Sequence, residues 1–404
     1  MAWLEIDLAA LVDNLRVVRD LAGTGVPVHP VVKADAYGHG ALPVARALET
    51  AGADGLCVAT ADEALALRAG GIRGPILVLY PVPEAMAPEL GRRRVTVTAG
   101  DLDLLAALVS RCAREPAAAR RLALHLEVET GLGRGGFREA DLRAAADLVA
   151  SSPGLRLAGL WTHLQAPEDA ERTAGQLARF DAAVAALRRA GHRTGQRHVA
   201  PSGGLLLGNT PSLDRVRPGL DVYGLVPDAL IARHLSAAQR LRPVMSLRAR
   251  PVRVVELPAG WGISYGPSFV TARPSRIATL PLGYGDGWPR SLSNRAEALV
   301  RGHRVPLVGT VAMDAVMADV TDVPDPPVTV ADEFVLLGRQ GDESITAAEL
   351  AKARSTISYE VVTAMAARLP RVYHAPSGAL GVRTLVSRPG ATIGAGPTRR
   401  TKRS

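Results

Sequence analysis

The strongest constraint on this chain is an alternation. Between about residues 8 and 235, short apolar, β-branched runs are each followed by an alanine-rich stretch with apolar residues three and four apart. The runs read as buried strands and the stretches as amphipathic helices. Strands are expected at 28–32, 55–59, 76–79, 95–98, 122–128, 157–161, 198–200 and 215–217. Helices are expected between them, at 41–51, 61–69, 101–113, 139–150 and 169–190. Pro30 argues against a regular first strand, because proline cannot donate to a ladder. Eight strands alternating with helices over about 225 residues predict an α/β fold, a (β/α)8 TIM barrel. An open doubly wound sheet is the alternative, but no Gly-x-Gly-x-x-Gly follows an early strand.

Beyond residue 236 the texture changes. Strand-like runs at 245–257, 275–281, 296–301, 305–311, 315–320 and 333–337 are punctuated by Pro, Gly and Asp. Helical patterning is confined to 346–353 and 359–368. This predicts a second, mainly β C-terminal domain. The expected division is a barrel at 1–235, a β-rich domain at 236–380 and a disordered basic tail at 381–404. The first eight or so residues are expected to pack with the β domain. A chain of 404 residues, 47% of them apolar, can bury a full core without disulfide or metal staples.

The formal charge of +9 raises the question of nucleic acid, and its distribution answers against it. Arg399, Arg400, Lys402 and Arg403 carry +4 of it at the extreme C-terminus. Aromatic residues are only 4%, too few for base-stacking platforms. Cys57 and Cys112 lack Cys-x-x-Cys spacing and read as buried thiols of a reducing compartment. The N-terminus carries acids where a signal peptide carries bases, and no run of about 18 apolar residues occurs. A soluble, cytoplasmic protein with no nucleic-acid or membrane partner is expected. His39 and His125 lack a second ligand at metal spacing, so no metal is expected.

Only three of the 48 basic residues are lysines: Lys33, Lys352 and Lys402. Lys33 closes the first expected strand and opens the loop Ala-Asp-Ala-Tyr-Gly-His-Gly at 34–40. Active sites of such barrels form at the C-terminal strand ends. A lysine there is partly desolvated, which favours the neutral amine that condenses with a carbonyl. Arginine cannot do this, so Lys33 is the position where an arginine-writing chain must keep lysine.

Val-Val-Lys-Ala-Asp-Ala-Tyr-Gly-His-Gly at 31–40 resembles the pyridoxal-phosphate attachment segment of alanine racemases. Further segments resemble that family in its order: Glu-Thr-Gly-Leu-Gly-Arg (129–134), Thr-His-Leu (162–164), Arg-Pro-Gly-Leu-Asp-Val-Tyr-Gly (217–224) and Ile-Ser-Tyr-Gly (263–266). Pro-Leu-Gly-Tyr-Gly-Asp-Gly-Trp-Pro-Arg (281–290), Met-Asp (313–314) and Ser-Tyr-Glu-Val-Val (358–362) continue the series. The resemblance spans residues 3 to about 374 and implies a barrel followed by a β domain.

The resemblance implies a homodimer with shared active sites that interconverts L- and D-alanine on pyridoxal 5′-phosphate, supplying D-alanine for peptidoglycan. Removing a proton from Cα is beyond a free side chain, so the cofactor carries that step, and two groups on opposite faces take and return the proton. By resemblance Lys33 holds the cofactor and serves the D face, while Tyr265, entering from the partner subunit, serves the L face. His163 and Arg217 would polarise that tyrosine, and Arg217 would face the pyridine nitrogen. Ser202, Gly203, Gly219, Leu220, Tyr37 and Tyr359 would surround the phosphate, with Leu79 against the ring. Arg134 would lie near the cofactor's 3′-oxygen and the substrate carboxylate, Met313 and Asp314 would line the substrate pocket of the partner subunit, and Tyr284 with Tyr359 would narrow its entrance and favour alanine.

One position departs from the family. Many relatives have, seven residues before that arginine, a lysine that becomes carbamylated into an anion; here the residue is Glu127. A glutamate is already anionic and is expected to replace the carbamate. The competing readings are a broad-specificity or serine racemase, a racemase of a secondary-metabolite pathway, and a non-catalytic pyridoxal-phosphate-binding barrel. The last needs neither Tyr265 nor the β domain.

Overall fold

The computed structural model describes residues 1–115, 122–375 and 378–386. Two compact units emerge: one holds residues 11–36 and 41–242, the other residues 1–10, 37–40 and those from 243 on.

After strand β1 (Ala2–Asp7) and a helix at Leu8–Ala22, six parallel strands follow one another in space as in sequence. They are β2 (Leu56–Val58), β3 (Ile76–Pro81), β4 (Val95–Ala99), β5 (Ala123–Glu127), β6 (Arg156–Trp161) and β7 (Gln196–His198). Helices at Ala41–Thr50, Ala61–Ala69, Leu102–Arg114, Glu139–Ala150 and Ala170–Arg189 lie in the connections. Asp101 and Asp169 fix two helix starts by accepting the amides of Leu104 and Arg172.

Residues 28–32 and 215–217 supply the first and eighth staves, held by single bridges rather than ladders. Val31 bridges to Cys57, and Val28 to Val216. The Val32 amide donates to Cys57 O at 2.8 Å, His29 to Val216 O at 3.0 Å, and Arg217 to Ala200 O at 3.0 Å. The sheet therefore closes on itself, and the open-sheet alternative is excluded. Pro30 explains the irregular first stave: its carbonyl accepts the Cys57 amide at 2.9 Å, but it has no N–H to give back.

The other unit is built on an eleven-stranded sheet. Its later strands are β8 (Met245–Ala249), β9 (Arg253–Leu257), β10 (Ser275–Leu280), β11 (Glu297–Val300), β12 (His303–Val308) and β13 (Val316–Asp319). β14 (Phe334–Gln340), β15 (Glu343–Ile345), β16 (Arg371–Ala375) and β17 (Gly378–Arg383) complete it. The order is β17-β16-β1-β8-β14-β11-β12-β13-β10-β9, with β15 paired to β14. β1 is antiparallel to β8 and parallel to β16, with Leu4 and Ile6 fully buried.

Three expectations differ in detail. The run at 245–257 is two strands, because Pro251 interrupts it; β8 pairs with β1 and β14, whereas β9 pairs with β10. The helix expected at 359–368 is Ser358–Thr363, since the Ala366 amide turns away to Asp286 O at 3.0 Å. Residues 381–383 belong to β17, and the expected tail from 387 on lies outside the described residues. Among the described residues, no helix is long and apolar enough to cross a membrane.

Arg371 is a buried fastener of the β unit at 1% exposure. Its Nε donates to Gly38 O at 2.8 Å, its Nη2 to Met365 O at 2.9 Å and its Nη1 to Ala366 O and Leu369 O at 3.1 and 3.0 Å. It thereby ties the 37–40 segment to residues 365–371. Arg371→Leu strips four carbonyls of a charged donor and is expected to cost about 3 kcal/mol or more, read as a lowered urea midpoint.

Candidate active site

The carboxyl ends of the staves gather one set of chemically capable side chains in the barrel unit. Lys33 follows the first stave directly. The chain then makes a left-handed turn in which Ala34, Asp35, Ala36 and Tyr37 all have φ between 51° and 55°. Such a conformation costs L-residues about 1–2 kcal/mol each and persists only where the surroundings enforce it. Glu63 does so from the neighbouring helix: its carboxylate accepts the amides of Ala34 at 2.6 Å and Ala59 at 2.8 Å. The Asp35 carboxylate accepts the Ala41 amide at 2.8 Å and closes the far side. Burial, then the Arg134 cation, lowers the pKa of Lys33 against the opposing pull of Glu63.

Arg217, on the eighth stave, is buried at 4% exposure. Its guanidinium donates to Thr162 O at 2.8 Å and His198 O at 3.0 Å, bonds the His198 ring, and lies 4.8 Å above the Trp161 ring. Burial brings it down to about 10, so it stays charged at neutral pH. The half-buried His163 is driven down to about 3 by burial, then by Arg217, Arg134 and Lys33, and is therefore a neutral imidazole. Glu127 ends β5 at 6% exposure, with an oxygen 3.8 Å from Arg134 Nη2. Burial raises this carboxyl and Arg134 opposes the rise. Arg134 itself lies over the Tyr80 ring at 5.7 Å, beside the half-buried Leu79.

Two short helical turns begin beside this end, at Ser202–Leu207 and Leu220–Tyr223. Ser202 Oγ joins them, donating to Asp221 Oδ1 at 2.7 Å and accepting the Gly219 amide at 2.8 Å. The Gly219 N–H is thus already used, while first-turn amides such as that of Gly203 have no acceptor within their own helix. A Cβ on Gly204 would lie 2.3 Å from Thr210 Oγ1, so that turn requires glycine. Together this end offers an amine for a carbonyl, a donor-only cation for a ring nitrogen and amides for a phosphate.

The remaining candidates sit in the β unit. Tyr37 is buried, with its ring 6.1 Å from that of Tyr359. Tyr265 is 73% exposed at the tip of a loop pinned by the Gly262–Val270 bridge and by the Ser264 hydroxyl on Thr310 O at 2.6 Å. Tyr284 and Met313, both exposed, share a locked backbone: the Tyr284 amide donates to Ala312 O at 3.1 Å and Gly285 to Met313 O at 3.0 Å. Arg368 clamps this region, bonding both oxygens of Asp286 at 2.7 and 2.8 Å and Asp314 at 2.7 Å.

Sequence reasoning missed the supporting residues Glu63, Tyr80, His198, Asp221 and Arg368. Glu63 was legible as the last residue of a Thr-x-x-Glu capping box at Thr60. Among the described residues no cluster of His, Cys, Asp or Glu could hold a metal ion.

Residues 6–227 match the family description "Alanine racemase, N-terminal domain", and residues 244–373 match "Alanine racemase, C-terminal domain". The alanine racemase of Symbiobacterium thermophilum is 43% identical over 92% of this chain and 96% of its own length. Alanine racemase 2 of Caldanaerobacter subterraneus is 40% identical over 91% and 94%. Among solved structures, the Bacillus anthracis alanine racemase with bound L-Ala-P superposes with a TM-score of 0.88 at 32% identity, covering 94% of this chain and 97% of that one. The enzyme of the D-cycloserine producer Streptomyces lavendulae gives 0.83 at 36%, covering 93% and 97%. Two domains matched in order, and relatives at 40% identity or more over most of both chains, place the chain in one family: it belongs to the alanine racemases.

Proposed function

We propose that this chain interconverts L- and D-alanine in the cytoplasm, with pyridoxal 5′-phosphate on Lys33 and with Lys33 and Tyr265 as the two proton carriers. The observation that carries this reading is Lys33 itself, a partly desolvated amine held on a strained turn beside Arg134. When bound, the cofactor withdraws electrons from the substrate's Cα–H bond. The D-alanine product would serve peptidoglycan synthesis.

The protein's share is orientation and proton handling. Arg217 has only donors, so it holds a facing ring nitrogen as an acceptor and keeps it unprotonated. Amides of the turns at Ser202 and Leu220, with Tyr37 and Tyr359, receive the phosphate, and Leu79 covers the ring. Arg134 and the amide of the partner subunit's Met313 take the substrate carboxylate. Glu127 keeps Arg134 aimed as a fixed anion, the role a carbamylated lysine fills in many relatives. Lys33 holds or releases a proton at Nζ on the D face, and Tyr265 at Oη on the L face. Exposure of Tyr265, Tyr284 and Met313 on well-anchored loops supports a homodimer in which they complete the partner's site. Tyr284 and Tyr359 narrow the entrance to a methyl side chain.

Tyr265→Phe is expected to lower kcat by about 10²–10⁴-fold. In deuterated water the variant still exchanges the Cα proton of D-alanine but not of L-alanine; equal exchange from both antipodes would contradict the assignment of faces. Glu127→Gln is expected to raise KM for alanine about tenfold in initial-rate assays, because it removes the buried anion paired at 3.8 Å with the guanidinium that meets the substrate carboxylate. Unchanged kinetics would remove Glu127 from the site.

The phosphate-binding turns carry a pH signature. Burial pushes Asp221 up to about 6, against the bond from Ser202, from an ordinary value of 3.8. The folded chain thus binds this proton more tightly than the unfolded one, so stability is lost as pH rises from about 4 to about 6. Asp221→Asn removes that loss: its advantage over wild type grows across the window toward about 3 kcal/mol, read by thermal melts of the cofactor-free protein.

A further inference from the structure

The barrel end opposite Lys33 holds a cavity of about 580 Å³. Asp54, Thr96, Arg156, Gln196 and Arg215 line it, each at or just before the amino end of its stave, and His29 and His125 complete its polar wall. The volume falls within the range of small-molecule sites.

Its charge is one-sided. Arg215 is buried at 7% exposure, and its Nη1 reaches His29 Nδ1 at 3.3 Å. Its Nε has no hydrogen-bond partner among the described residues. Arg156 adds a second cation, solvent-exposed at the rim. The one lining carboxylate, Asp54, is already engaged by the Val28 amide and by Arg19, both at 2.9 Å. Burial and the neighbouring arginines keep His29 and His125 unprotonated, so both are neutral and the positive charge of the wall comes from the arginines. A guanidinium taken out of water without an anion is costly, and its planar fork matches two oxygens of a tetrahedral oxyanion.

We propose that this amino-terminal mouth is a binding site for a small oxyanion of the phosphate class, either inorganic phosphate or a compact phosphate monoester, held by Arg215 with Arg156 at the rim. The site uses none of the residues assigned to racemisation, so it stands or falls independently of that reading.

Calorimetric titration of inorganic phosphate into the cofactor-loaded protein, at fixed ionic strength, tests this. Loading keeps the turns at Ser202 and Leu220 filled by the cofactor's own phosphate. One saturable site per chain is expected, weakened about tenfold or more by Arg215→Met and several-fold by Arg156→Gln. Arg156 is exposed, so its variant carries the test if Arg215→Met fails to fold. Glycerol 3-phosphate binding tighter than inorganic phosphate assigns a monoester, and equal or weaker binding assigns the free ion. No saturation by about 10 mM phosphate, equal displacement by chloride, or titrations unchanged in the folded variants would overturn the proposal.

Discussion

The barrel unit depends on a seam. Staves one and eight meet through the Val28–Val216 bridge and through the Val31 amide on Pro218 O at 2.8 Å. This closure makes Lys33 and Arg217 occupants of neighbouring stave ends. A cationic guanidinium and a partly desolvated amine then share one barrel end, the setting in which a lysine is kept reactive. The left-handed turn after Lys33 is part of the same arrangement. Four successive residues in a region that L-residues avoid need external fixing, which Glu63 and Asp35 supply.

Electrostatics in the barrel interior runs on arginine and neutral imidazole. Arg215 and Arg217 are two residues apart on one stave, so both face inward. His125 Nδ1 lies 2.7 Å from His198 Nε2, and His198 in turn bonds Arg217. A hydrogen-bonded line thus runs from His125 through His198 to Arg217 in the apolar core. Burial first, and then the two buried guanidinium groups beside them, hold each imidazole in it neutral. Glu127 is the buried anion nearest Arg134, and it needs no covalent modification to carry its charge.

Much of this was legible in the sequence because periodicity reports burial. All eight staves were found, including the two too irregular to form ladders; the first carries buried Val28, Val31 and Val32, whereas the eighth is Arg-Val-Arg, with Val216 its one apolar residue. The break at Pro251 was visible as a proline yet was read through, because alternating strand-like sequence continues on both sides of it. The packing of the first residues with the β domain was expected, but β1 was not read as a strand although Ala-Trp-Leu-Glu-Ile-Asp alternates; its partners β8 and β16 lie some 240 and 370 residues away. Candidate site residues bearing reactive groups were proposed from motif context. Those acting through another side chain were not: Asp221 holds Ser202, and Arg368 holds Asp314, by contacts that only the fold creates.

Lys33 is the residue on which the account rests, and the chain's scarcity of lysine makes it directly testable. Borohydride reduction of the cofactor-loaded protein fixes the cofactor to whichever lysine holds it, and peptide mass mapping reads the position. The account predicts a single adduct, on the peptide containing Lys33, with Lys352 and Lys402 unmodified. An adduct on either of those two, or no adduct on a cofactor-loaded chain, would contradict it.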